Sequence, residues 1–122
     1  MGFQPAGLAI RFLLELSALA SFGYWAWESW PSSLRWVGVV AAPLLAAVLW
    51  GVFATPGDPS RSGGTVIATP GALRLVLELA VFFGAAYAVY STGARTAGIA
   101  LVVVLVIYHL AAIDRVMWLL RH

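Results

Sequence analysis

Long apolar runs separated by short polar breaks dominate the pattern of the chain. Four such runs cover about residues 7–27, 34–54, 71–90 and 96–120. Each is close to the ~20 apolar residues that an α-helix needs to cross the hydrocarbon core of a bilayer. The pattern therefore predicts four membrane-spanning helices. The fourth run is longer than a span requires, so its end is expected to emerge into water.

The breaks between the runs have the composition of turns and loops. Pro31 follows the first run, and residues 91–95 form a short connection between the third and the fourth. Residues 55–69 are rich in Gly, Pro and Ser, which is typical of a loop. The predicted fold is a single all-α domain over residues 1–122, an integral membrane four-helix bundle made of two helical hairpins.

A short motif recurs in the first and third runs. Arg-x-x-x-Glu extends from Arg11 to Glu15 and again from Arg74 to Glu78, at an offset of 63 residues. A tyrosine follows each glutamate at the same spacing. Because the offset covers two spans, the two hairpins are predicted to be parallel internal repeats, related by an axis along the membrane normal.

Composition favours a lipid environment and excludes several classes of function. The chain is 62% hydrophobic and 10% charged, whereas soluble domains carry about 25% charged residues. It has no cysteine, which excludes disulfides and thiolate metal sites. It has no lysine either, which excludes Schiff-base chemistry. A net charge of +2 gives no basis for nucleic-acid binding, and no cofactor is expected.

The distribution of arginine predicts the orientation of the chain. With four spans, both termini and the loop at 55–69 lie on the same side of the membrane. Five arginines fall on that side and two on the other: Arg11, Arg61, Arg74, Arg115 and Arg121 against Arg35 and Arg95. By the positive-inside rule, both termini are therefore expected in the cytoplasm.

Apart from tyrosine, the ionisable residues deep within the predicted spans all fall in the cytoplasmic half. Glu15 lies about eight residues into the first helix, roughly 9–12 Å at 1.5 Å per residue, and Glu78 lies at the same depth in the third. His109 and Asp114 lie where the fourth helix approaches the same side. An ionised group at this depth costs at least ~2.5–3.5 kcal/mol, so such residues are candidates for a functional site.

The charged residues have a structural and a functional interpretation. Pairing of Arg11 with Glu78 and of Arg74 with Glu15 would tie the two hairpins together and fix their register. Alternatively, the same residues line a polar pocket open to the cytoplasm. Two neighbouring arginines would repel a cation, so no metal site is expected.

Several motifs together resemble the YrdB-like family of small bacterial membrane proteins. They are Arg-x-x-Leu-Glu-Leu at 11–16, Trp50-Gly-x-Phe53-x-x-Pro56, Leu-Glu-Leu at 77–79, and the ending His109…Asp114-Arg115…Trp118-Leu119-Leu120. The resemblance covers most of the chain. It implies a four-helix protein of the bacterial inner (cytoplasmic) membrane, from a family whose function is uncharacterised.

The first functional hypothesis is a polar Glu/Arg/His pocket that binds a small, largely apolar ligand, for transport or for binding alone. The residues expected to contact the ligand are Arg11, Arg74, Trp50, Phe53, Phe22 and Arg115. The expected partners are the lipid bilayer and a small apolar or amphipathic ligand. Because four helices bury little area, a homo-oligomer is included among the partners considered.

Two alternatives remain open from the sequence. One is a membrane-embedded acid–base enzyme, an isomerase or cyclase acting on an isoprenoid or polyketide-like substrate. Its catalytic candidates are Glu15, Glu78, His109 and Asp114, because carboxyl and imidazole groups transfer protons in such reactions. The other is an accessory subunit of a larger membrane complex, which suits a short chain with small extramembrane parts.

Overall fold

A computed structural model describes residues 3–58 and 67–122. This part contains five α-helices: α1 (Pro5–Ser29), α2 (Arg35–Val52), α3 (Gly71–Ser91), α4 (Arg95–Ala111) and α5 (Ile113–Leu120). Two strands of two residues each, β1 (Phe53–Ala54) and β2 (Ile67–Ala68), pair in parallel. The all-α class is confirmed. Arg61, one of the arginines that predicted the orientation, lies outside the described residues.

The first two helices differ from their predicted bounds for local reasons. α1 begins at Pro5, since the first turn of a helix has no acceptor for its N–H groups and tolerates proline. α2 ends at Val52, two residues before the predicted end. The reason is that residues 53–54 leave the helix to pair with residues 67–68, and Thr69 N–H donates to Ala54 O at 2.8 Å.

The prediction of one continuous helix over residues 96–120 is wrong. α4 and α5 meet at an angle of 71°, and Ala112 between them has φ −97° and ψ 31°, outside the helical region. The turn lays α5 against α3. Gly71 permits this close approach, because a Cβ at that position would lie 1.7 Å from the Leu119 carbonyl oxygen.

The helices pack around a central pair. α1 and α3 contact each other, α2 packs mainly against α1, and α4 packs mainly against α3. The buried core lies between α1, α3 and α4 and comprises Leu14, Ala18, Phe82, Ala85, Ala86, Leu105, Tyr108 and Ala112. α2 and α4 therefore flank the structure, with most of their apolar surface exposed.

Three helices, α1 to α3, are long and apolar enough to cross a membrane, and α4 with α5 passes the same test as one bent pair. In the most apolar stretch of α2, only 11% of the residues are buried inside the protein. Large side chains such as Leu45 (63% exposed) and Tyr87 (72% exposed) lie on this outer surface. Such a surface is typical of helices that meet lipid.

Candidate functional site

Glu78 lies at the centre of a buried group of charges. Its side chain is fully buried. Its Oε1 accepts hydrogen bonds from Arg11 Nη2 at 2.8 Å, Arg74 Nε at 3.0 Å and Arg115 Nη2 at 2.6 Å. Its Oε2 accepts one from Arg115 Nη1 at 2.7 Å. One carboxylate thus joins three arginines.

The three arginines come from three different helices. Arg74 lies four residues before Glu78 on α3, a spacing that places both on one helical face. Arg11 is supplied by α1, and Arg115 reaches Glu78 only because α5 folds back at residue 112. The charged contacts therefore join α1, α3 and α5 at one end of the molecule.

Two further carboxylates complete this group. Arg115 Nη2 also donates to Asp58 Oδ2 at 2.8 Å, and Arg11 Nε lies 3.2 Å from Glu15 Oε1. We call the set the charged cluster: Arg11, Glu15, Asp58, Arg74, Glu78 and Arg115. All of its members except Glu15 are buried. Burial of so many charges is tolerated because each one has an oppositely charged partner.

Asp58 is a member of the cluster that the sequence did not reveal. It stands in a stretch rich in Gly and Pro, where an acidic residue is usually solvated. A turn places it inward: Asp58 N–H donates to Thr55 O at 3.2 Å, and Gly57 adopts φ 79°. Glycine adopts this left-handed conformation without steric cost. The Pro-Gly-Asp sequence indicates a turn, but nothing in it indicates that Asp58 is buried.

Arg74 also caps the C-terminal end of α2. Its Nη1 donates to the carbonyl oxygens of Trp50, at 2.6 Å, and of Phe53. The last carbonyls of a helix have no partner within it, and a cation there also interacts favourably with the helix dipole. Phe53, predicted to contact a ligand, contributes its backbone carbonyl to this contact.

The indole of Trp50 covers the cluster from the α2 side. The guanidinium carbons of Arg74 and Arg11 lie 4.5 Å and 5.1 Å from the centre of its ring. Phe82 meets the same ring edge-on, with centroids 4.9 Å apart. Cation–π contacts of this kind are stronger where water is excluded. Trp50 therefore joins the charged cluster to the apolar core.

One of the two predicted cross-helix pairs is present and the other is not. Arg11 pairs with Glu78 as the sequence predicted. Within residues 3–58 and 67–122 no ion pair joins Arg74 to Glu15, so that prediction is wrong. The reason is that the Arg74 guanidinium is held by Glu78 and by the end of α2. Glu15 is left with Arg11 as its ionic partner.

A small cavity lies beside the charged cluster, between α1, α2 and α3. Its volume is about 40 Å³, and its lining residues are Glu15, Ala18, Leu19, Ala46, Ala47, Trp50, Val81 and Phe82. That volume exceeds the ~10–15 Å³ that a water needs and is well below the ~150 Å³ of a cavity that admits benzene. The cavity therefore fits a slender apolar group, and Glu15 is the one ionisable residue that lines it.

His109 lies apart from the cavity lining. Its Nδ1 is 2.8 Å from Leu105 O, and its ring contacts those of Phe82, Phe83 and Tyr108. Its Nε2 is buried and has no hydrogen-bond partner among the residues that the structure describes. The imidazole is thus held among aromatic rings by a backbone contact.

Two other predicted residues also lie away from the cavity. Asp114 is exposed, because on α5 it faces away from the side on which Arg115 is buried. Phe22 packs at the margin of the apolar core. Among the described residues, no three His, Asp or Glu side chains come together in a group that could hold a metal ion.

Comparison with known proteins identifies the family. Residues 9–106 match the model of a family described as "Protein of unknown function (DUF2568)". The chain is also 39% identical over 118 residues to the "Uncharacterized protein YrdB" of Bacillus subtilis (strain 168), covering 97% of this chain and 96% of that protein. No solved structure matches the chain. The resemblance drawn from the motifs is confirmed, and the chain belongs to the YrdB-like DUF2568 family.

Proposed function

We propose that this protein is an integral membrane protein with four spans: α1, α2, α3 and the bent pair of α4 and α5. The apolar surface exposed on these helices supports this arrangement. We further propose that the hairpins α1–α2 and α3–α4 are parallel repeats, which the recurring Arg-x-x-x-Glu motif supports. The excess of arginine at the end that holds the charged cluster favours a location of that end in the cytoplasm, with both termini, at the bacterial inner membrane.

Within this frame, the protein binds a small, largely apolar ligand in the cavity beside Glu15. The observation that carries the proposal is the cavity itself, which is lined by apolar side chains and one partly exposed carboxylate. An apolar pocket with a few polar groups is the usual form of a small-molecule site. Transport of the ligand remains an extension of this proposal.

The charged cluster has a structural part in this proposal. Both oxygens of Glu78 accept hydrogen bonds from arginines, which leaves little room for a ligand at its carboxylate. The cluster instead fixes the positions of Arg11 and Trp50, and through them one wall of the cavity. The proposed site is therefore at Glu15, one helical turn from Arg11 on α1.

The acid–base enzyme alternative has less support from the geometry. A cyclase must enclose its folded substrate, and a volume of about 40 Å³ is too small for an isoprenoid or polyketide chain. Of the four catalytic candidates, only Glu15 lines the cavity. No observation favours the accessory-subunit alternative specifically.

Filling the cavity tests the proposal. Ala46→Leu places a larger side chain in the lining, whereas Ala41→Leu makes the same change at an exposed position of α2 and is the matched control. The probe is 3-bromo-1-propanol, which has fewer heavy atoms than benzene; bromine quenches indole fluorescence on contact, and Trp50 lines the cavity. Protein in lipid nanodiscs is titrated, and probe concentration is expressed per lipid.

The expected result is saturable quenching in the wild type and in Ala41→Leu, at least tenfold weaker binding in Ala46→Leu, and no saturable component in Trp50→Phe. Quenching that stays linear with the probe in every variant would show partition into lipid alone. Equal saturation in Ala46→Leu and Ala41→Leu would place the binding elsewhere. Either result overturns the proposal.

A further inference from the structure

The two glutamates of the recurring motif have different surroundings. Glu78 is fully buried and bonded to three arginines. Glu15 has a side chain that is 29% exposed, and Arg11 lies 3.2 Å from its Oε1. Two arginines account for the difference: Arg115, whose counterpart 63 residues earlier is Val52, and Arg11, whose counterpart Arg74 bonds to the end of α2 instead of to Glu15. Packing therefore surrounds Glu78 with arginines and leaves Glu15 partly exposed.

The Glu15 carboxylate has an oxygen, Oε2, that can accept a further hydrogen bond. Among residues 3–58 and 67–122, no protein donor bonds to Oε2 of Glu15. Each ionised carboxylate oxygen accepts up to two hydrogen bonds, and the Glu15 carboxylate lines an apolar cavity. A ligand whose apolar part enters the cavity can therefore donate a hydrogen bond to this carboxylate. A ligand of the cavity is therefore expected to carry an O–H or N–H donor.

Charge balance selects among such donors. The charged cluster contains three guanidinium groups and three carboxylates, so its described members sum to zero. An ammonium group at Glu15 would approach Arg11, which already pairs with that carboxylate. An anionic group would meet Glu15 itself. A neutral hydroxyl adds no charge, and it can donate to Glu15 while Arg11 keeps its contact.

We propose that the cavity binds the end of a slender apolar chain that carries a neutral hydroxyl group, and that this hydroxyl donates a hydrogen bond to Glu15. This inference rests on the proposed function and adds the chemical class of the ligand. The cavity volume of about 40 Å³ limits the enclosed part to a short, unfused segment. The remainder of a longer chain would lie outside, along the exposed faces of the helices.

A set of probes with one chain and different head groups tests the inference. Alongside 3-bromo-1-propanol, the set contains 3-bromopropylammonium, 4-bromobutanoate and 1-bromopropane. Each is titrated into nanodiscs by the quenching assay above, with the Trp50→Phe signal subtracted. The wild type is expected to bind the alcohol at least tenfold more tightly than the other three probes, after correction for partition.

Two variants at the carboxylate give the assay a second readout. Glu15→Gln keeps one neutral acceptor oxygen and is expected to bind the alcohol more weakly than the wild type but more tightly than Glu15→Leu. Glu15→Leu removes the acceptor and is expected to lose at least tenfold. Circular dichroism of each variant confirms that the helices are retained.

The outcomes separate this inference from the proposed function. If the ammonium, the carboxylate or the unsubstituted probe binds as tightly as the alcohol, the inference is overturned while binding in the cavity stands. Unchanged alcohol binding in Glu15→Leu would overturn it as well. If no probe gives saturable, Trp50-dependent quenching, the proposed function fails.

Discussion

Replacement of Glu78 by glutamine should strongly destabilise the protein. Glu78 accepts four hydrogen bonds from three arginines, and its side chain is fully buried. The neutral glutamine amide would leave one guanidinium charge uncompensated. Its own N–H donors would also face the N–H donors of the arginines, where the carboxylate had an acceptor oxygen. Loss of one partner from a buried ion pair costs about 3–5 kcal/mol, so we expect the free energy of unfolding to fall by about that amount.

The recurring motif provides a matched control for this prediction. Glu15→Gln makes the same chemical change 63 residues earlier, but Glu15 has one arginine at 3.2 Å and a partly exposed side chain. Exposed ion pairs contribute about 0–1 kcal/mol. The free energy of unfolding of Glu15→Gln should therefore fall by no more than about 1 kcal/mol.

Denaturant titration in detergent micelles, followed by circular dichroism, measures both variants under the same conditions. The midpoint and slope of each transition give the change in stability. If Glu78→Gln does not fold, Glu78→Asp retains the charge on a shorter side chain and should show an intermediate loss. Stabilities of Glu78→Gln and Glu15→Gln that agree within about 1 kcal/mol would refute the central position assigned to Glu78.

Two further predictions concern the docking of α5. Arg115→Met removes the contacts of α5 with Glu78 and Asp58, so maleimide should label the variant Leu119→Cys at least tenfold faster when Arg115→Met is added. Arg121→Met makes the same change at an exposed position and is the control. Equal labelling rates in all three proteins would show that α5 docks without Arg115. Gly71→Ala would bring its methyl group against the Leu119 carbonyl and should lower the free energy of unfolding by about 1–3 kcal/mol. Gly51→Ala, which has open space at its Cβ, should change stability little, and an equal loss in both would contradict the close approach of α5 to α3.

The helices themselves could be predicted from the sequence. Apolar runs of about 20 residues and Gly/Pro/Ser-rich breaks identified all four long helices within a few residues at most ends, because helix length and composition are local properties. The motif at Arg11 and Glu15, repeated at Arg74 and Glu78, also identified the charged residues that now mark the site. The match to the family confirms the resemblance that these motifs carried.

The break at Ala112 could not be predicted, because neither Gly nor Pro marks it. What bends the chain there is long-range: Arg115 bonds to Glu78 and Asp58, and α5 approaches the backbone of α3 at Gly71. These partners lie between 37 and 57 residues away from Arg115 in sequence. The burial of Asp58 depends on the same contacts.

The sequence by itself determined the helical class, the scarcity of charge and the identity of the few residues that carry it, since each follows from composition and local periodicity. Only the tertiary structure decided which of these charged residues pair with one another and which are buried. Glu78 accepts hydrogen bonds from three arginines because α5 folds back and adds Arg115. Glu15 lies beside a cavity with one arginine, because Arg74 bonds to the end of α2. Identical motifs acquired different surroundings because the packing of neighbouring elements, and not the motif, sets which partners reach each carboxylate.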